Sequence, residues 1–253
     1  MLSESELRKL ELRKSKTGRL KINKPVLKKS QRKIIENSRP LGRVLEPDAK
    51  KILSDQGFDI PGFVLTDSLE TARNFLNKSA GPVVAKAVSK KILHKTEFQA
   101  VVTGIMEAKT LEKQMERLKI LDGCENILVE EMVSGLEIII GAKNDFQFGP
   151  VVVLGIGGTL VELYNDTAIR MAPLKFADVY SMVDSLKAGQ VFTGYRGKSG
   201  VNMEVLADLI VKFSHFIMDL ESDFESIDLN PVICTQDKCV IADARIMLKK
   251  QEL

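Results

Sequence analysis

The chain has 253 residues, 44% of them hydrophobic and 28% charged, with a formal net charge of +3 at pH 7. This is the composition of an ordinary globular protein with room for one large domain or two lobes, and no apolar run approaches membrane-spanning length. The charge is uneven: residues 1–33 hold twelve lysines and arginines against Glu4, Glu6 and Glu11, so the basic character belongs to an arm and not to a face of the folded body.

Residues 1–30 read as that arm, a flexible and solvated segment. It could reach RNA, an anionic membrane or an acidic partner through screened electrostatics. It has no aromatic residue for base stacking and no continuous apolar stretch of the kind a secretory leader needs. From Gln31 the pattern is helical. Pro47-Asp48-Ala49 marks a second helix start, with a stop at Gly57. Ile60 to Leu65 is a turn into a strand, and Thr66 or Asp67 is expected to cap a helix through Leu76. Val83–Val88 and Val101–Ile105 read as strands, separated by a polar, basic loop from Ser89 to Glu97, and Thr110–Leu121 reads as a charged helix. Strands are then expected over Asn126–Met132, Leu136–Ala142, Pro150–Leu154 and Thr159–Tyr164, with helices over Ala177–Lys187 and Glu204–Leu220.

The last strong pattern is Ile227 to Ile246, IDLNPVICTQDKCVIADARI. Folded as a hairpin about Thr235-Gln236-Asp237-Lys238, it sets Cys234 opposite Cys239, Val232 opposite Ile241, Asn230 opposite Asp243 and Asp228 opposite Arg245. Alternation then assigns Ile227, Leu229, Pro231, Ile233, Val240, Ala242, Ala244 and Ile246 to one apolar face. Asn230 and Asp243 on the other face are two hard oxygen ligands, with room for water and phosphate oxygens as Mg²⁺ requires. A surface hairpin with polar residues facing water is the plainer alternative. Cys124, Cys234 and Cys239 lack metal-ligand spacing. Cys234 and Cys239 could bridge across the hairpin, but free thiols are expected in the reducing compartment that the absence of a leader suggests.

Other residues stand out singly. Lys86 sits in an apolar strand and needs an anion, for which a phosphate is natural; an edge-strand lysine in water is the alternative. His94 lies in a polar loop beside Lys95 and could act as base, metal ligand or phosphoryl acceptor, or be simple surface. His215 falls within an apolar helix and reads as structural. Gly155, Gly157 and Gly158 stand between two strands, so they do not form a dinucleotide fingerprint, whose phosphate sits at a helix N-terminus. Glu137 is a ribose or metal contact or a strand-surface acid. Strand hairpins mixed with helices predict an α+β body of two lobes, over residues 31–125 and 126–253.

Together, VVAKAVSKKILHKTE, ILVEEMVSGLEIIIG, FQFGPVVVLGIGGTLVEL, AIRMAPL, TGYRG, IDLNPV and ADARI closely resemble the β subunit of ADP-forming acyl-CoA synthetases (acetate–CoA ligase, ADP-forming), ATP-grasp proteins related to the succinyl-CoA synthetase β subunit. The resemblance spans roughly residues 31–248. It implies an ATP-grasp fold of two lobes, ATP/ADP as substrate, Mg²⁺ as cofactor and a separate CoA-binding α subunit in an α2β2 assembly; the absence of a leader and of an apolar spanning run leads one to expect a cytoplasmic location and no membrane partner, and a nucleic-acid partner is disfavoured. It further implies that Lys86 contacts nucleotide phosphates, that the linker Glu130, Glu131, Met132 and Val133 bonds adenine through its backbone, and that Glu137 faces ribose or phosphate. By the same resemblance Asn230 and Asp243 hold Mg²⁺, His94 is a transient phosphohistidine, Gly157 and Gly158 are the paired glycines of the central hairpin, and Arg170 is the arginine of its return strand.

One departure stands out. Where the family usually has a glycine-containing turn after the histidine motif, this chain has Phe98-Gln99-Ala100. That substitution supports an alternative in which the chain is a non-catalytic, nucleotide-sensing subunit that regulates a partner. A third reading, a nucleic-acid-associated protein acting through residues 8–33, rests on the arm alone.

Overall fold

The computed structural model describes residues 27–92, 98–157, 166–195 and 198–250. The expected strand at Thr159–Tyr164, His94 and Gly158 lie outside these residues, as does most of the expected arm.

Helix α1, Lys29–Ser38, leads through a 3₁₀ turn into strand β1, Arg43–Val44, and helix α2, Glu46–Asp55. Pro47 lies in the first turn of α2, where its missing N–H leaves no bond unmade. Gly57 ends the helix as expected: its φ is +77°, and the Phe58 amide reaches back to the Leu53 carbonyl at 3.0 Å, a Schellman closure. Strand β2, Phe63–Thr66, is followed by α3, Leu69–Lys78, and then by β3, Val83–Ser89, and β4, Val101–Ile105. The cap of α3 is Ser68, whose hydroxyl accepts from the Thr71 amide at 3.3 Å. It is neither Thr66 nor Asp67; the Thr66 hydroxyl instead accepts from the Ser68 amide at 2.9 Å and shapes the turn before the helix. Helix α4, Ala108–Lys119, and strand β5, Cys124–Glu131, complete this part.

Strands β6, Leu136–Asp145, β7, Gly149–Ile156, and β8, Thr167–Met171, are followed by α5, Phe176–Ser185, and a short helix α6, Gln190–Thr193. The small ladder of β9, Gly194–Tyr195, and β10, Lys198–Ser199, leads into α7, Met203–Asp219, capped by Asn202. Strands β11, Phe224–Cys234, β12, Cys239–Ile241, and β13, Ala244–Leu248, end the described chain.

Two antiparallel sheets organise the molecule. The smaller has the order β2-β5-β3-β4, and the larger β1-β13-β11-β6-β7-β8 with β12 on the flank of β11. One core lies between the small sheet and helices α3 and α4, built from residues such as Ala72, Leu76, Ala85, Leu111, Met115 and Val129. The other joins the large sheet to α5 and α7 and includes Ile35, Val44, Ile52, Leu53 and Phe58 from the segment before β2. The expected lobe boundary at 125/126 therefore needs correcting. It cuts through β5, while the segment before β2 belongs to the larger core because β1 pairs with β13.

The hairpin register holds as read. Cys234 pairs with Cys239, Val232 with Ile241 and Asp228 with Arg245, so the count places Asn230 across from Asp243. The single apolar face does not hold. Ile227, Leu229, Ala244 and Ile246 lie in the large core, but beyond them the core residues are Val232, Cys234, Cys239 and Ile241. The pairing of β11 with β6 shifts between Leu229 and Val232, an irregularity at Asn230-Pro231 that exchanges the faces. Cys124, Cys234 and Cys239 are free thiols.

Candidate functional site

The two sheets meet at Lys86. Pairing of β3 with β5 sets Lys86 beside Leu128, and Val84 beside Glu130. Their intervening neighbours Ala85, Ala87, Ile127 and Val129 face the helices, so Lys86 and Glu130 share the opposite face. Helix α2, from the other core, presents Glu46 and Lys50 to them one turn apart. Lys86 Nζ donates to Glu46 Oε1 at 2.8 Å, lies 2.7 Å from Glu130 Oε1, and donates to the Ala242 carbonyl at 2.8 Å. Lys50 Nζ lies 3.0 Å from Glu46 Oε1 and also bonds Glu130 Oε2. Lys50, Glu130, Lys86 and Glu46 thus close a ring of alternating charge, with every side chain at most 6% exposed. Burial alone would lower the Lys86 pKa, but the carboxylates of Glu46, Asp243 and Glu130 outweigh it and hold the ammonium well above the usual lysine range.

On the far side of Lys86 stands the hairpin. Asp243 Oδ2 is 3.9 Å from Lys86 Nζ, and the Asp243 side chain is 27% exposed. Asn230 across from it is exposed. Beside them Arg245 donates to Asp228 Oδ2 through Nη2 at 2.7 Å and Nε at 3.2 Å, a half-exposed pair worth little to stability. An amide oxygen and a carboxylate fit Mg²⁺, a hard cation that keeps several of its positions for water and phosphate oxygens. Among the described residues no group of three or more His, Cys, Asp or Glu could hold a metal alone, so ligands from a nucleotide would have to complete such a site.

The remaining expected residues divide. Glu131 is exposed; its amide donates to the Gly62 carbonyl at 2.9 Å and its carboxylate accepts from the Gly62 amide at 3.3 Å. The Met132 amide donates to Pro82 at 3.0 Å, and Val133 lies in the segment that joins β5 of the small sheet to β6 of the large one. Glu137 is exposed on β6, and its carbonyl accepts from the Gly157 amide at 2.7 Å. A Cβ on Gly157 would stand 2.8 Å from the Glu137 carbonyl carbon, so only glycine permits this approach. Arg170 is not brought to the group. It pairs with the core residue Val152 and donates to Ser181 of α5 at 3.1 Å, on the helix-bearing side of the sheet. His215 is half-buried on α7.

His94 is outside the described residues, but the stem before it is defined. The Ser89 hydroxyl accepts from the Lys91 and Ile92 amides at 3.0 and 3.1 Å, and Arg43 Nη2 donates to the Lys90 and Ile92 carbonyls at 2.6 and 3.3 Å. Where the described chain resumes, Gln99 adopts φ +48° and its carbonyl accepts from Arg117 at 2.8 Å.

Sequence reasoning missed Glu46 and Lys50. A Glu and a Lys four apart on a helix usually describe a surface pair. The available signal was that Lys50 shares its helix with Ala49, Ile52 and Leu53, while a strand lysine and a strand glutamate, Lys86 and Glu130, both lacked partners.

Residues 37–248 match the family model described as an ATP-grasp domain. The β subunit of ADP-forming acetate–CoA ligase I from Pyrococcus furiosus is 35% identical over 229 residues, covering 86% of this chain and 97% of that one. A solved structure of Ca. Korarchaeum cryptofilum dinucleotide forming acetyl-coenzyme A synthetase 1, in complex with coenzyme A, Ca-AMPCP and HgCl+, superposes with a TM-score of 0.79 at 33% identity and covers 87% of this chain and 100% of that one. A selenomethionine form with coenzyme A and Mg-AMPPCP, whose phosphohistidine segment points towards the nucleotide binding site, gives 0.75 at 32% identity with the same coverage.

Proposed function

Because the chain belongs to the ATP-grasp family, and within it to the β subunits of ADP-forming acetate–CoA ligases, we propose that it is the nucleotide-handling subunit of such a ligase. The reaction is acyl-CoA + ADP + phosphate ⇌ acid + CoA + ATP. A separate α subunit would bind CoA and the acyl group, and this chain would carry the phosphoryl group to and from ADP. The observation that carries the reading is the meeting of Lys86 with Asp243, 3.9 Å apart, where the small sheet abuts the hairpin of the large one.

The roles follow from position. Asn230 and Asp243 would hold Mg²⁺, which supplies positive charge to the transferring phosphoryl group. A phosphoryl oxygen approaching Lys86 would replace one of its three acceptors, and the uncharged Ala242 carbonyl is the weakest of them. The amides of Glu131 and Met132 are already bonded to Gly62 and Pro82, so a ring nitrogen of the base would take its N–H from Val133 onward, while the linker carbonyls stay open to its amino group. Glu137, exposed beside the Gly157 approach, faces the ribose or phosphates. His94 would take the phosphoryl group on an imidazole nitrogen; that N–P bond breaks as a terminal oxygen of ADP forms the new O–P bond. Little covalent chemistry is then asked of the remaining residues, which position the phosphates and neutralise their charge.

Calorimetric titration with ADP tests this. The full chain should bind ADP in a Mg²⁺-dependent manner, and Asn230→Ala/Asp243→Ala should lose the Mg²⁺ dependence while remaining folded. Undiminished Mg²⁺-dependent binding by that variant would remove the site from the hairpin.

A further inference from the structure

Glu46 and Lys50 belong to none of the roles above, yet they are among the most deeply buried charges described, with side chains 3% and 0% exposed. Burying four ionised groups is expensive and is not a general route to stability, because well-packed apolar residues usually do as well. The geometry of this ring has a different consequence. Two of the three Lys86 ammonium hydrogens are engaged by Glu46 and Glu130. An ammonium is tetrahedral, so fixing two donors fixes the third, which is directed at the Ala242 carbonyl beside Asp243. Lys50 makes this possible. Without it two carboxylates would face a single lysine in a dry environment, and one would have to turn away or take up a proton. With it, Glu130 bridges both lysines through its two oxygens, and Glu46 Oε1 bridges them from the other side.

We infer that Glu46 and Lys50 are positioning residues for the nucleotide site: they hold Lys86 so that its third N–H addresses the Ala242–Asp243 corner of the metal hairpin. This rests on the nucleotide-binding reading of that site. The ring ties α2 of the large core to β3 and β5 of the small sheet, so the aim of Lys86 is set from both sides of the interface.

The test uses the full chain carrying Glu46→Gln/Lys50→Met. This pair of changes keeps the ring neutral, nearly conserves volume and leaves the Lys86–Glu130 pair intact. Two readouts are taken. In calorimetry, Mg²⁺–ADP affinity should fall about tenfold relative to the unaltered chain, the scale of one charge-assisted hydrogen bond. In amide hydrogen exchange without nucleotide, protection across residues 239–245 should fall while that of β7 is unchanged. A folded variant with unaltered hairpin protection or unaltered Mg²⁺–ADP affinity overturns the inference. If the double variant does not fold, Glu46→Gln alone, which preserves shape and one acceptor, decides by the same readouts. Failure of the unaltered chain to bind Mg²⁺–ADP would instead refute the functional reading, and the exchange result would still decide whether Glu46 and Lys50 position the hairpin.

Discussion

The Lys86 ammonium has three hydrogens, and Glu46, Glu130 and the Ala242 carbonyl accept them. Replacing Lys86 by Met would leave two buried carboxylates to share Lys50, an uncompensated charge that should destabilise the fold by about 3–5 kcal/mol in urea denaturation. Adding Glu46→Gln to Lys86→Met restores neutrality and should recover most of that loss; no recovery would mean that packing, not charge, is at stake. The pH dependence has a definite direction. The folded pKa of Lys86 is raised, so its contribution is complete below the ordinary lysine pKa of about 10.4 and disappears only as pH rises through the higher folded value. The unaltered chain should therefore show no Lys86-linked loss of stability between pH 7 and about pH 10.

At the scale of elements, what the sequence revealed and what it hid have separate causes. Strand register depends on alternation and turn length, both local, and the hairpin pairs as expected from Cys234–Cys239 through Asp228–Arg245. The exchange of core faces at Asn230-Pro231 is set by how β11 meets β6 about ninety positions earlier in the chain, which no local pattern encodes. The Lys86 ring was hidden for the same reason, since its members come from α2, β3 and β5. The turn at Phe98-Gln99-Ala100 is an intermediate case. The family resemblance leads one to expect glycine there, and the backbone keeps a glycine-like conformation although the residue is Gln99, at φ +48°. A side chain in that region costs about 1–2 kcal/mol, and Gly loses about 0.5–1 kcal/mol to greater unfolded-state freedom. Gln99→Gly should thus stabilise the chain by up to about 1 kcal/mol in urea denaturation, provided that the Arg117 bond to its carbonyl persists. A destabilised variant would show that the Gln99 side chain makes compensating contacts.

For the molecule as a whole, the question is how one sheet registers against the other so that Lys86 meets the Asp243 hairpin. Lys86 supplies one tie, from the small sheet to the hairpin. Arg43 supplies a second and in the opposite sense. It stands on β1 at the edge of the large sheet, opposite Met247, and reaches the Lys90 and Ile92 carbonyls of the small one. The amides of Lys91 and Ile92 are held from within their own sheet by Ser89, which in turn donates to the Asp122 carbonyl at 2.7 Å. The stem leading to His94 is therefore gripped from both sheets, its amides by one and its carbonyls by the other. Burial first, and then the neighbouring Arg245, lower the pKa of Arg43, yet a guanidinium stays charged throughout the working range. Arg43→Ala should remove only the grip of the large sheet. Amide exchange at residues 89–92 should rise, exchange in β6, β7 and β8 should not change, and global stability should fall by only about 1 kcal/mol. Lys86, Asn230 and Asp243 are untouched by the change, so on the proposed function Mg²⁺–ADP affinity should be preserved while phosphoryl transfer, measured with the proposed CoA-binding partner, slows. Loss of ADP affinity in proportion to turnover would show instead that Arg43 maintains the whole cleft and not the stem of one loop.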